Sequence, residues 1–162
     1  MGGLLHKSLC PMDGDKPPPT QKFFIPCILP KTTHQAGNTI LKTKDGRYFV
    51  GKSKKGKGMS QTLQALLRIH KPPQAYTQPL SVEIAYYFPY NKTATKAHKA
   101  IDPLPKATRA DCDNLAKGVL DAMQAIGFMN DDAQVYSLKI TKAYSKEHGL
   151  GIIIKPWTHE RY

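Results

Sequence analysis

One segment constrains the fold of this chain more than any other. From Asn114 to Ile126, Leu115, Val119, Ala122, Met123 and Ile126 fall at helical spacing and make one apolar stripe, and Gly127 supplies a C-terminal stop. Such a helix has to lay its stripe on another element, and strand-like segments stand on both sides of it in the chain. Leu80 to Phe88 alternates Val82, Ile84 and Tyr86 with Ser81, Glu83 and Ala85 before Pro89. After the helix, Asp131-Asp132 reads as a turn into a strand from about Ala133 to Ala143. Leu150 to Lys155 reads as a last strand, expected to pair antiparallel with that one.

Upstream, Phe23 to Leu29 gives a first strand closed by Pro30. Thr39 to Lys44 and Arg47 to Val50 flank Asp45-Gly46, whose residues tolerate the positive φ of a tight hairpin. Met59, Leu63, Leu66 and Leu67 mark a second amphipathic helix to Ile69, stopped by Pro72-Pro73. The reading is an α+β fold: a single small domain, 21–162, whose mixed or antiparallel sheet of about four strands carries two helices. Residues 1–20, ending in Lys16-Pro17-Pro18-Pro19-Thr20, read as a flexible proline-rich arm. There is no internal repeat. The 162 residues, 40% of them hydrophobic, suffice for one core. No apolar run approaches the roughly 18 residues of a membrane span. Leu4 and Leu5 alone do not make a secretory signal. Cys10, Cys27 and Cys112 fit neither a disulfide framework nor a paired zinc motif, so free thiols in a reducing cytoplasm are expected.

The charge is large and unevenly placed. Lys and Arg number 24 against 12 Asp and Glu, a net +12, which points to a polyanionic partner, nucleic acid by default. Yet Asp111, Asp113, Asp121, Asp131 and Asp132, five of those 12 acids, fall between Asp111 and Asp132 with one base, Lys117. Carboxylates repel a phosphate backbone unless something neutralises them, and Mg²⁺ does so, preferring oxygen ligands from one or two carboxylates, phosphate and water. The plain alternative is a solvated acidic face. Two basic stretches flank the island. Lys52, Lys54, Lys55 and Lys57 lie in a glycine-bearing loop, and a long irregular linker, Tyr90 to Ala110, carries Lys96, Lys99 and Arg109. Both could follow phosphates without reading bases. For the Lys52–Lys57 stretch, a merely soluble loop is the equal alternative.

Either Asp111 or Asp113 alone would be read as a helix cap or as a first-turn charge opposing the helix dipole. Two of them, two residues apart, exceed what one cap requires and could share an ion, with Asp132 completing the set after the chain reverses. Lys117 lies one turn beyond Asp113, either as a surface pair or as a cation held over the scissile phosphate. Asp121, one turn further, reads as a surface partner of Lys117. Asp131 and Lys142 are secondary candidates. His34, His98 and His148 fall in expected loops and His70 at a helix end, so no histidine base is expected.

In order along the chain, Asp111-Cys-Asp-Asn-Leu-Ala-Lys117, Leu120-Asp121-Ala122 and Asp131-Asp-Ala-Gln-Val135 resemble the signature of the RusA family of Holliday junction resolvases. That family carries an Asp-x-Asp-Asn-Leu-x-Lys segment, a helix with Leu-Asp-Ala and an Asp-Asp-x-Gln-Val turn. More weakly, Phe24-Ile25-Pro26, Pro30-Lys31 and the Gly46 to Lys55 hairpin resemble phage-type members. The segment Pro30-Lys31-Thr-Thr-His-Gln35 departs from them in lacking arginines after the lysine, which leaves substrate preference less constrained than chemistry. The resemblance implies a Mg²⁺-dependent homodimeric endonuclease, cytoplasmic and bacterial or phage-encoded, that nicks four-way junction DNA symmetrically in recombination and repair. Asp111, Asp113 and Asp132 would be its metal ligands and Lys117 its essential lysine. The rivals are a non-catalytic basic module for structured DNA or RNA and a Mg²⁺ nuclease acting on flaps or other branched substrates.

Overall fold

A computed structural model describes residues 18–27, 38–42, 48–52 and 54–158, with the backbone alone for 38–42, 48–52 and 54–59. Strands β1 (Gln21–Pro26), β4 (Leu80–Phe88), β5 (Leu104–Pro105), β6 (Val135–Tyr144) and β7 (Gly149–Pro156) form a five-stranded mixed sheet in the order β1-β7-β4-β6-β5. Strands β2 (Asn38–Lys42) and β3 (Tyr48–Lys52) pair antiparallel as a separate ribbon. The hairpin expectation holds for the pairing, while Asp45-Gly46 lies outside the described residues. The helices are α1 (Lys54–Arg68), the one-turn α2 (Lys96–Ala100) and α3 (Cys112–Ala125). The fold is therefore α+β, as read from the sequence.

β4 is the spine. Its side chains alternate buried and half-buried through all nine residues, so one face of the strand is core throughout. Val82, Ile84 and Tyr86 share one buried cluster with the stripe Leu115, Val119 and Met123 of α3 and with Leu63 and Leu67 of α1. Tyr86 anchors the layer through a hydrogen bond from its hydroxyl to the Leu115 carbonyl (2.6 Å), and burial raises its pKa. At about 25 cal/mol per Å² of apolar surface removed from water, this two-layer contact is the main stabilising term of the domain. Gly127 takes φ 80°, the left-handed stop that lets the chain leave α3.

Several expectations change. β6 does not pair with β7, because β4 lies between them, parallel to β6 and antiparallel to β7. The reason is the crossover: β4, α3 and β6 form a strand-helix-strand unit, and a helical return over one face delivers the next strand parallel to the first. β7 then takes the opposite edge of β4, and the link from Ser145 to His148 passes over the end of β4, where the Ser145 amide donates to the Phe88 carbonyl (2.9 Å).

Lys54, Lys55 and Lys57 stand in the first turn of α1, not in a loop, and Lys52 ends β3. Once the Leu63 and Leu67 face is packed, each added helical residue gains a hydrogen bond, which outweighs the roughly 1 kcal/mol cost of Gly56 and of Gly58. The linker is not wholly irregular either. Thr95 caps α2, accepting from the His98 amide (3.2 Å), so Lys96, His98 and Lys99 are helical and exposed. That helix has no apolar stripe to announce it. Residues 1–17 lie outside the described ones, as does Cys10. Pro19 is held to the domain by the Tyr76 hydroxyl (2.7 Å), and Cys27 and Cys112 are free. Among the described residues no helix is long and apolar enough to cross a membrane.

Candidate active site

Asp111 occupies the N-cap position of α3 in extended conformation (φ −76°, ψ 147°), yet its side chain makes no capping hydrogen bond. Asp113 lies in the first turn, and both are exposed. Among the described residues neither carboxylate has a hydrogen bond or an ion pair. A capping bond is worth about 1 kcal/mol, so an aspartate that stands in the cap position and forgoes it supports the helix only through its charge near the dipole. The capping alternative for Asp111 fails on this observation.

Lys117 follows one turn along and is solvent-facing, its ammonium 3.6 Å from Asp121 and not engaged with Asp113. The expectation that Asp121 is its surface partner holds. With side-chain exposures of 59% and 31%, the pair is screened and adds at most a few tenths of a kcal/mol.

The segment entering α3 is fixed by two lysines. Lys142, on β6 opposite Tyr86, donates to the Thr108 carbonyl (2.8 Å) and the Ala110 carbonyl (2.6 Å). Lys106 is buried and donates to the Thr108 carbonyl (3.0 Å), the Thr108 hydroxyl (2.6 Å) and the Arg109 carbonyl. Its ammonium stands over the rings of Phe88 and Tyr144 at 5.0 and 5.5 Å, and burial lowers its pKa. Together they aim the residue just before Asp111. Lys142 thus acts on backbone within its own chain. Nothing in the local sequence marks Lys106 as buried. For Lys142 a signal existed: Leu138, Ile140 and Lys142 alternate along one face of β6, and a lysine closing an apolar series usually has a partner. Arg109 is exposed and enters through its carbonyl.

At the other end of α3, Asp131 and Asp132 divide their labour. Asp131 caps a short 3-10 turn, Asp132–Gln134, accepting from the Ala133 amide (2.8 Å). Gln134 answers by accepting from the Asn130 and Asp131 amides (2.8 and 3.0 Å), while its side-chain amide donates to the Tyr76 and Gln78 carbonyls (3.0 and 3.2 Å). Asp131 and Gln134 are structural. Asp132 is half-buried, and among the described residues its carboxylate has no partner.

Two unengaged carboxylates, Asp111 and Asp113, are the protein share that a Mg²⁺ ion commonly takes, the remainder being phosphate and water. The third is elsewhere. β6 starts beside Leu80 and ends beside Phe88, so Asp132 sits at one end of the sheet and Asp111, next to the Lys142 clamp, at the other. The 14 residues of α3 separate them, about 20 Å at 1.5 Å per residue. Among the described residues no three His, Cys, Asp or Glu side chains come together as a metal-holding group. The expectation that Asp111, Asp113 and Asp132 meet within one chain is therefore not met. The topology is the cause: a crossover helix antiparallel to its strands puts its two flanking loops at opposite edges of the layer.

The family model described as Endodeoxyribonuclease RusA matches residues 30–155, taking in α3, its flanking carboxylates and the main sheet apart from β1. A Bacillus subtilis (strain 168) protein named "Uncharacterized protein YqaN" is 29% identical over 117 residues, covering 69% of this chain and 82% of that one. The span matched by the family model contains both aspartate-bearing loops and Lys117. This chain belongs to the RusA endodeoxyribonuclease family.

Proposed function

We propose that this protein is a Mg²⁺-dependent endonuclease that resolves four-way DNA junctions by paired nicks, acting as a homodimer. The observation that carries the reading is the unspent pair Asp111 and Asp113 at the start of α3, on a segment clamped by Lys106 and Lys142. A purely binding module with a net charge of +12 gains nothing from holding two free carboxylates in a fixed position facing its ligand. A divalent cation bound there supplies charge neutralisation and an activated water. Asp111 and Asp113 then act as its ligands. Lys117, on the exposed side of α3, balances negative charge on the phosphate under attack, and Asp132 is a third ligand that one chain alone does not deliver. A junction has approximate two-fold symmetry, and an isologous dimer presents two equivalent sites to it. Lys52, Lys54, Lys55 and Lys57, together with Lys96, Lys99 and Arg109, are the proposed contacts to the arms, holding phosphates and leaving discrimination to branched shape.

The test is cleavage of a mobile four-way junction, a flap and a plain duplex at one salt concentration, with and without Mg²⁺. Junction cleavage that requires the ion and greatly exceeds duplex cleavage supports the reading. Equal rates on junction and duplex sink the resolvase assignment, and preference for the flap turns the protein into a different branched-DNA nuclease.

A further inference from the structure

The next inference rests on the nuclease reading and concerns what the linker ahead of α3 can hold. Where β4 and β6 end, the segment Tyr90 to Leu104 leaves a cavity of about 280 Å³, whose lining includes Tyr90, Asn91, Thr93, His98, Leu104 and Tyr144. Tyr90 and Tyr144 stack, with ring centroids 6.0 Å apart and planes 25° from parallel. Both rings are held at their polar ends. The Tyr90 hydroxyl donates to the Ile101 carbonyl (2.6 Å), and the Tyr144 hydroxyl is bonded to that of Thr108 (3.1 Å). Lys106 already stands against the Tyr144 ring at 5.5 Å, whereas Tyr90 makes no second ring contact among the described residues. Both tyrosines are only half-buried, so the pair leaves aromatic surface beside the cavity in contact with water.

The groups around the rings select the ligand. Asn91 donates one amide hydrogen bond to the Tyr144 hydroxyl (3.3 Å), and its side-chain carbonyl accepts from no donor among the described residues. An aromatic face beside a free amide carbonyl complements a nucleobase, whose ring stacks and whose exocyclic amino group donates. The rim is cationic: Lys92, Lys96 and Lys99 are exposed, and the nearby acid, Asp102, is occupied by Lys146 (4.0 Å). Phosphates on either side of a seated base would meet those lysines. The cavity is smaller than the roughly 300–1,000 Å³ of pockets that enclose whole small molecules, so it has room for one ring system. A base must leave its stack to enter, and that costs least where pairing is already interrupted, as at a branch point. Thr108, bonded to Tyr144, stands three residues before Asp111, at most about 11 Å of chain. At roughly 3.4 Å per stacked nucleotide that distance is about three steps along one strand. We propose that this cavity receives one unpaired nucleobase of the junction, stacked on Tyr90 and read at its edge by Asn91, within about three nucleotides of the phosphate that Asp111 and Asp113 address. The pocket adds a base contact to the phosphate contacts and to the recognition of branched shape. Adenine, cytosine and guanine carry the amino group that Asn91 accepts from, and thymine carries none.

The test uses the full chain and four-way junctions without Mg²⁺, so that binding is read apart from cleavage. 2-Aminopurine is placed at each position near the branch point in turn, and an abasic residue is placed at the same positions in a second series. Wild type should change the fluorescence at one position in each bound strand well beyond the change at its neighbours. An abasic residue there should weaken binding by about 5- to 100-fold, the range expected for losing one stacked base, and thymine there should bind more weakly than adenine or cytosine. Tyr90→Leu should remove the fluorescence change and make intact and abasic junctions bind alike. Asn91→Ala, at an exposed position, should keep the fluorescence change and erase the discrimination against thymine. The abasic series needs no variant and decides the matter should Tyr90→Leu misfold. Equal affinity of the wild type for the intact junction and for every abasic one overturns the proposal. So does a fluorescence change that a folded Tyr90→Leu protein leaves in place. If the pocket behaves as stated but the wild type cuts no DNA with Mg²⁺, the pocket stands and the nuclease reading falls. Junction cleavage with Mg²⁺ alongside indifference to every abasic residue keeps the nuclease and strikes out the pocket.

Discussion

Two aspartates occupy the same kind of position at the two ends of α3, and the protein uses them in opposite ways. Asp131 sits at the start of a helical turn and is fully employed, accepting from Ala133 while Gln134 closes the capping box from the other side. Asp111 sits at the start of a much longer helix and caps nothing. Burial does not explain the contrast, since both residues are exposed. The lesson is that a carboxylate's role is read from the bonds it declines as much as from those it makes. A cap left unformed, with the preceding backbone held by two lysines, marks a group positioned for something outside the chain.

Substitutions can break this comparison. Asp113→Asn should have the largest effect on activity, lowering junction cleavage at saturating Mg²⁺ by about 100-fold or more, on the scale of losing one pre-aligned charge at a reacting phosphate. Junction affinity measured by gel shift should stay the same or rise, and thermal stability should fall by no more than about 0.5 kcal/mol, the dipole contribution of a first-turn carboxylate. Loss of affinity in parallel with cleavage would make Asp113 a folding residue. Next comes Gln134→Ala, which leaves the carbonyls of Tyr76 and Gln78 without their donor and two amides without their acceptor. Denaturant unfolding should show a loss of about 1–3 kcal/mol. Asp131→Ala should cost about 1 kcal/mol, and Asp111→Ala well under half of that, by the same measurement. Equal costs for the two would erase the distinction drawn above. The smallest effect belongs to Glu83→Gln. Its carboxylate is held below its usual range by the Lys155 hydrogen bond and charge (2.8 Å) and, less, by Lys139. A depressed carboxylate pKa contributes stability that is present above the unfolded value and lost as pH falls through the folded one. The wild type should thus lose a small increment over the variant only on acidification below the carboxylate range, and that increment should vanish in high salt.

How much of this the sequence held depends on which physics carried the signal. α3 and β4 were readable almost to the residue, because a 3.6-residue stripe and a strict two-residue alternation are local consequences of facing one core. Strand neighbours were not readable. The short link between β6 and β7 suggested a hairpin, and nothing within either strand reveals that β4 lies between them. The same blindness affected the site. The aspartates were found because clustered acids in a basic chain are anomalous, and the motif set the first pair apart from the second. That Asp132 lies a helix length away follows only from the handedness and direction of a crossover, a property of the assembled layer. Lys106 escaped notice because its burial is created by Phe88 and Tyr144, 18 and 38 residues away in opposite directions.

The order of the strands also sets a timetable for making the molecule. Among the described strands β1, near the start of the chain, pairs with β7, near its end, and β4 finds both of its partners downstream of α3. A chain emerging from the ribosome can therefore form its helices early but can close no part of the main sheet until residues beyond Val135 are out. Until Gly149–Pro156 appears, β1 has nowhere to go. Pairings that span so much of the chain slow folding and leave apolar strands waiting in the open. Expression losses should accordingly come from nascent-chain aggregation, and slower elongation or added holding chaperones should relieve them more than any change in the finished core.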